Sequence, residues 1–132
     1  MSTSILKKTI LIVEDELSLR NALCDKLTHE GFAVLEAKNG KEGLEVALRE
    51  HPDLILLDLV MPKMDGMTMM KKLRGENEWS KTVPVIILTN LAGDNDQLLQ
   101  DINETEPSYY IVKSNWKIED VVAKIQERLD GI

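Results

Sequence analysis

Residues 54–66 read LILLDLVMPKMDG: four apolar side chains run straight into Asp58, and the chain then breaks at Pro62, Asp65 and Gly66. A short aliphatic run bounded by turn residues predicts a strand buried on both faces. A carboxylate that ends such a run is held rigidly at the tip of a buried element, where a reacting group gains most from being fixed.

Four more runs share the pattern: TILIV at 9–13, AVLEA at 33–37, VIILT at 85–89 and YYIVK at 109–113. Leu19, Ala22, Leu23 and Leu27 predict a first helix that stops at Gly31; a second starts near Asn39, carries Leu44, Ala47 and Leu48, and ends before Pro52. Met67, Met70 and Leu73 suggest a third after Gly66, and Leu98, Leu99 and Ile102 a fourth after GDNDQ. Ile118, Val121, Val122, Ile125 and Leu129 form one apolar stripe for the last. Strands alternating with helices of this length call for parallel neighbours joined by crossovers. The predicted class is therefore α/β, a doubly wound parallel sheet with helices on both faces. Residues 1–132 are expected to form a single domain, with residues 1–8 a loose lead-in to the first strand.

The composition, 43% hydrophobic and 30% charged, is that of an ordinary globular domain. A formal net charge of −7 opposes unaided binding to nucleic acid or to an anionic membrane. Cys24, the single cysteine, cannot form an internal disulfide, and no apolar run is long enough for a signal peptide or a membrane span. A cytoplasmic location is expected.

Ligands of such sheets bind beyond the carboxyl ends of the strands. The first strand ends in Glu14, Asp15 and Glu16, the third in Asp58, the fourth in Thr89 and Asn90, and the fifth in Lys113 and Ser114. Parallel alignment brings these endings to one edge. Clustered carboxylates repel one another unless a cation neutralises them, and oxygen-only donors favour Mg2+, with Mn2+ as the alternative, over zinc. Asp58 can then act as a carboxylate nucleophile, with Thr89 and Lys113 stabilising charge on a phosphoryl group. Taken singly, each residue has a plainer reading: Glu14 and Asp15 as helix-capping acids, Asp58 as a turn former, Thr89 as a strand residue, Lys113 as a solvated charge. Only the joint pattern points to chemistry.

The runs ILIVEDE, LLDLVMPKMDG, VIILT and YYIVK, in this order, make the chain resemble the receiver domain of two-component response regulators, the CheY-like, flavodoxin-like fold, over nearly its whole length. That resemblance implies five strands in the order 2-1-3-4-5. It implies that Asp58 is the phosphorylated residue and that Glu14, Asp15, Asp58 and the Val60 carbonyl hold Mg2+. Thr89 and Lys113 would contact the phosphoryl group, and Thr89 and Tyr110 would form the switch. It implies a phosphoacceptor signalling domain rather than an enzyme, fed by a histidine kinase or phosphotransfer protein and acting on a downstream protein. A monomer or a phosphorylation-dependent dimer is expected. No DNA-binding or catalytic output module follows the last helix, so a stand-alone receiver working through a partner, or one separated from an output domain, is expected.

Three positions depart from the family pattern. Ser114 stands where the family has a proline after its lysine, so a trans peptide is expected there, a cis bond before a non-proline costing about 2.5 to 4 kcal/mol. Asn90 replaces a small residue, and ETEPS at 104–108 replaces a Gly-Ala-acidic turn. Rival readings fit less well. A haloacid-dehalogenase-type phosphatase would have a second aspartate at Val60, and a flavodoxin would have a phosphate cradle where VEDEL stands. A degenerate receiver that binds partners without phosphorylation is opposed by Asp58, Thr89 and Lys113. Val60 and Leu91, two positions after Asp58 and Thr89, lack polar groups to orient water, so a long-lived phosphoryl state is expected.

Five of the six methionines fall at 61–70, where core packing is the better reading than a binding face. Trp79 and Trp116 are expected to be partly buried, Cys24 to be a buried small hydrophobe, and His29 and His51 to sit at helix ends in favourable dipole contact.

Overall fold

The structure is a computed structural model that describes residues 7–59, 65–89, 100, 103–104, 107, 109–112 and 116–130, with the backbone alone at 89 and 109–112. Strands β1 (Thr9–Val13), β2 (Ala33–Ala37), β3 (Leu54–Leu57), β4 (Val85–Thr89) and β5 (Tyr109–Val112) form one parallel sheet in the order β2-β1-β3-β4-β5. The described helices are α1 (Leu17–His29), α2 (Gly40–Glu50), α3 (Gly66–Arg74), α4 (Glu78–Thr82) and α5 (Ile118–Leu129).

Alternation along the strands decides which helix covers which face. Leu11, Val13, Ile55, Leu57, Val85 and Ile87 point to the side of α2, α3 and α4, whereas Ile10, Ile12, Leu54, Leu56, Ile86 and Leu88 meet α1 and α5. Burial on both sides is why β1, β3 and β4 carry almost unbroken aliphatic runs, as parallel central strands require. At the sheet's edge, β2 exposes Glu36.

Local chemistry fixes the helix ends. The Phe32 N–H donates to the Leu27 carbonyl at 3.0 Å and the Gly31 N–H to that of Thr28 at 3.1 Å, with Gly31 at φ 98°, so α1 stops where glycine tolerates the left-handed turn. The Asn39 side chain caps α2 by accepting from the Glu42 N–H at 2.8 Å, and Asp65 caps α3 by accepting from the Thr68 N–H at 2.8 Å. In α5, the Asp120 carboxylate reaches back to the Lys117 N–H at 2.8 Å.

Several expectations need correction or fall elsewhere. The short α4 was not expected, because five residues carry no readable period. It is nucleated by a capping box in which Asn77 Oδ1 accepts from the Ser80 N–H and Ser80 Oγ accepts from the Asn77 N–H, at 2.8 and 3.0 Å. Rather than serving only as a dipole partner, His51 ends α2 in the left-handed region (φ 47°) and stacks its ring on Trp79, with centroids 4.1 Å apart and planes 8° apart. Ala22 is exposed, and Cys24 is half-buried rather than a core residue. Met67, Met69 and Met70 are buried in the core and Trp79 and Trp116 are partly buried, as expected. Leu98, Leu99 and Ile102 lie outside the described residues, as do Met61, Met64, Asn90, Leu91, Ser114 and residues 1–6, although Gln100, Asn103 and Glu104 are helical.

Candidate functional site

Strand register explains how distant acids meet. Val13 of β1 is paired with Ala37 on one side and Leu57 on the other, so Glu14 and Asp58 each stand one step past a pair at the same end of adjacent strands. Both are pinned by the last rungs of the ladder: the Glu14 N–H donates to the Ala37 carbonyl and the Asp58 N–H to the Val13 carbonyl, each at 3.0 Å. Carboxylate oxygens of Glu14, Asp15 and Asp58 lie within 4.8 Å of one another. Glu14 and Asp58 are buried, at 2% and 5% exposure, whereas Asp15 faces solvent.

Neither Glu14 nor Asp15 is the N-cap of α1. Glu16 occupies the N-cap of α1, and Glu14 folds its carboxylate back to accept from the Glu16 N–H at 3.2 Å. Two buried acids and one exposed acid at a strand end are costly unless neutralised. Their oxygen-only donor set fits a hard divalent cation, since ligands on opposite sides of Mg2+ stand about 4 Å apart.

Two further residues shape this edge: Gly66, which the sequence marked only as a turn residue, and Arg20, which it did not mark. A Cβ at Gly66 would overlap the Asp58 carbonyl oxygen and stand 2.7 Å from Leu59 Cα, and the Gly66 N–H donates to the Leu59 carbonyl at 3.0 Å. Only glycine lets α3 begin so close to the end of β3. The other is Arg20, whose Nη1 donates to the Glu14 carbonyl at 2.8 Å while its Nε faces Glu36 Oε1 at 3.4 Å. Its sequence signal is faint: a cation four residues into a helix gains nothing from the helix dipole and so needs another partner.

Val60 and Lys113 lie outside the described residues, and of Thr89 and Tyr110 only the backbone is described. Thr89 ends β4 in register with Val112, the residue before Lys113, and Tyr110 is in register with Ile87. Among the described residues no helix is long and apolar enough to cross a membrane.

A family model for the response regulator receiver domain matches residues 10–126. The "probable transcriptional regulator ycf27" of Porphyridium aerugineum is 37% identical over 126 residues, covering 94% of this chain and 50% of that protein. The chain thus spans about half the length of the curated relatives it matches. A response regulator receiver domain protein (CheY-like) from Methanospirillum hungatei JF-1 superposes with a TM-score of 0.85 at 27% identity, with 96% of each chain covered. The signal receiver domain of a signal transduction histidine kinase from Syntrophus aciditrophicus gives 0.82 at 30% identity, over 95% of this chain and 92% of that one. A match of that extent, on a fold that superposes nearly end to end, settles the membership: the chain belongs to the response regulator receiver domains of two-component systems.

Proposed function

We propose that this receiver takes a phosphoryl group onto Asp58 from the phosphohistidine of a histidine kinase or phosphotransfer protein, and that the modified domain switches a surface read by another protein. The observation that carries the reading is the meeting of Glu14, Asp15 and Asp58 oxygens within 4.8 Å from two separate strand ends.

In this reading an Asp58 oxygen attacks phosphorus, the donor's N–P bond breaks, and the leaving imidazole keeps the electron pair, so that a mixed anhydride forms on the protein. Glu14, Asp15, Asp58 and the Val60 carbonyl would hold Mg2+ or Mn2+, which supplies charge neutralisation to the phosphoryl oxygens. The Lys113 ammonium and the Thr89 hydroxyl are assigned to the same oxygens, and Thr89 with Tyr110 to the switch. That assignment is supported by the adjacent registers of β4 and β5. The domain assists its own modification without turning over an external substrate.

The relatives do not support a stand-alone receiver, since the chain spans about half of their length. We take the output to be a partner protein or another domain of the same protein, reached from the cytoplasm. The net charge of −7 favours a protein over nucleic acid as the direct contact of this chain.

Intact mass after incubation with a small phosphodonor and Mg2+ tests the reading. One phosphoryl group is expected on the wild type, persisting through slow loss because Val60 and Leu91 offer no water-orienting group, and none on Asp58→Asn. An unmodified wild type, or a modified Asp58→Asn, would overturn it.

A further inference from the structure

Beyond the three acids, the structure offers a device that holds them. We propose that Arg20 is a positioning residue for the divalent-cation site: it fixes the turn carrying Glu14 and Asp15 by tying it to the edge strand β2, and so sets the site's cation affinity. This rests on the cation-assisted reading given above.

Three observations carry it. The Glu14 carbonyl lies one residue past the Val13–Ala37 pair, at the point where the ladder ends, and it receives the Arg20 Nη1 at 2.8 Å. Arg20 Nε meets Glu36 Oε1 at 3.4 Å, so one planar guanidinium spans a main-chain carbonyl at the tip of β1 and a carboxylate on β2. The Arg20 side chain is only 15% exposed while that of Glu36 is 41% exposed, which makes the carbonyl contact the better shielded of the two.

The geometry is specific to arginine. The guanidinium reaches both partners at once, donating from Nη1 to the carbonyl and pairing through Nε with the carboxylate, whereas a lysine ammonium presents a single point charge without the planar fork. Arg20 is not placed among the groups that touch the cation. It acts through the backbone of Glu14, whose N–H is already fixed to Ala37 at 3.0 Å, so that both ends of that residue are tied. Residues that orient a metal ligand commonly change affinity by about 10- to 100-fold when replaced. Arg20 also lines an open groove of about 240 Å3 with Glu36, Ala37 and Lys38, so a shorter side chain there leaves no closed void.

The test is Mn2+ and Mg2+ binding by calorimetry to the full chain, with unfolding midpoints measured separately in chelator. Arg20→Lys is expected to weaken both cations about tenfold, Glu36→Gln less, and Asp15→Asn most of all. A midpoint that drops while cation affinity stays at the wild-type value would show Arg20 to be structural only and overturn the proposal. Loss of binding in Asp15→Asn with unchanged binding in Arg20→Lys has the same meaning and leaves the parent reading standing. A wild type that binds neither cation would remove both.

Discussion

The two faces of the sheet are built by different rules, although the same strands feed both. On the side of α2 and α3, glycines bring helices into direct contact with the strands that end in acids. A Cβ at Gly43 would stand 2.9 Å from both Val13 methyls and 3.0 Å from Met69 Sδ, and one at Gly66 would overlap the Asp58 carbonyl. Val13 precedes Glu14, so both close approaches sit directly behind the site. On the side of α1 and α5 the packing is made by Ile12, Leu23, Leu27, Leu56, Val121 and Ile125, and the link to the site is polar, through Arg20. Position is imposed on the acids by steric fit from one face and by a hydrogen-bonded tether from the other.

One carbon added to the tight face therefore does more than one removed from the aliphatic face. Gly66→Ala is expected to lower stability by about 3 kcal/mol, the upper end of overpacking costs, because the obstacle is main chain that cannot rotate away. Asp58 should then be phosphorylated poorly by a small donor even where the variant remains folded. Chemical denaturation and intact mass check the two effects, and wild-type values in both would break the comparison. Ile12→Val removes one methylene from a fully buried position on the other face and should cost about 1 kcal/mol. Phosphorylation by the same small donor should persist there, since α3 and the end of β3 are untouched.

The tight face was also the harder one to read from sequence. The strands announced themselves as aliphatic runs, and acids at the ends of two of them were legible as a cluster because parallel register is a strong constraint. Asn39 and Gly31 could be read as helix punctuation, since caps are local, whereas Asp65 was read only as part of the chain break. Gly66 appeared only as a turn residue, because its contact with the Asp58 carbonyl depends on the crossing of α3 over β3. Arg20 was invisible for a similar reason: its partners are six and sixteen residues away, one just past the end of β1 and one on β2. Ala22 was misplaced because so small a side chain gives little evidence of which way it faces, and α4 was missed because one turn has no period.

The smallest effect lies at Cys24, and it sharpens the polar half of the comparison. Burial, and next the Glu36 carboxylate whose Oε2 lies 3.8 Å from Sγ, raise the thiol above its ordinary value of 9.0. A thiol is neutral when protonated, so a raised value in the folded state favours the protonated form. The stability this contributes is present below the ordinary value and is lost as pH climbs through the raised one. Removing the charge with Glu36→Gln should bring the thiol down and speed alkylation at mildly alkaline pH, by less than about tenfold because only the thiolate fraction changes. Comparing alkylation rates of the two folded proteins over a pH series isolates this effect from burial, which both share. Identical profiles would mean that Glu36 does not set the thiol and acts on this edge only through Arg20; a shifted profile would place Glu36 of β2 and Cys24 of α1 in one electrostatic group.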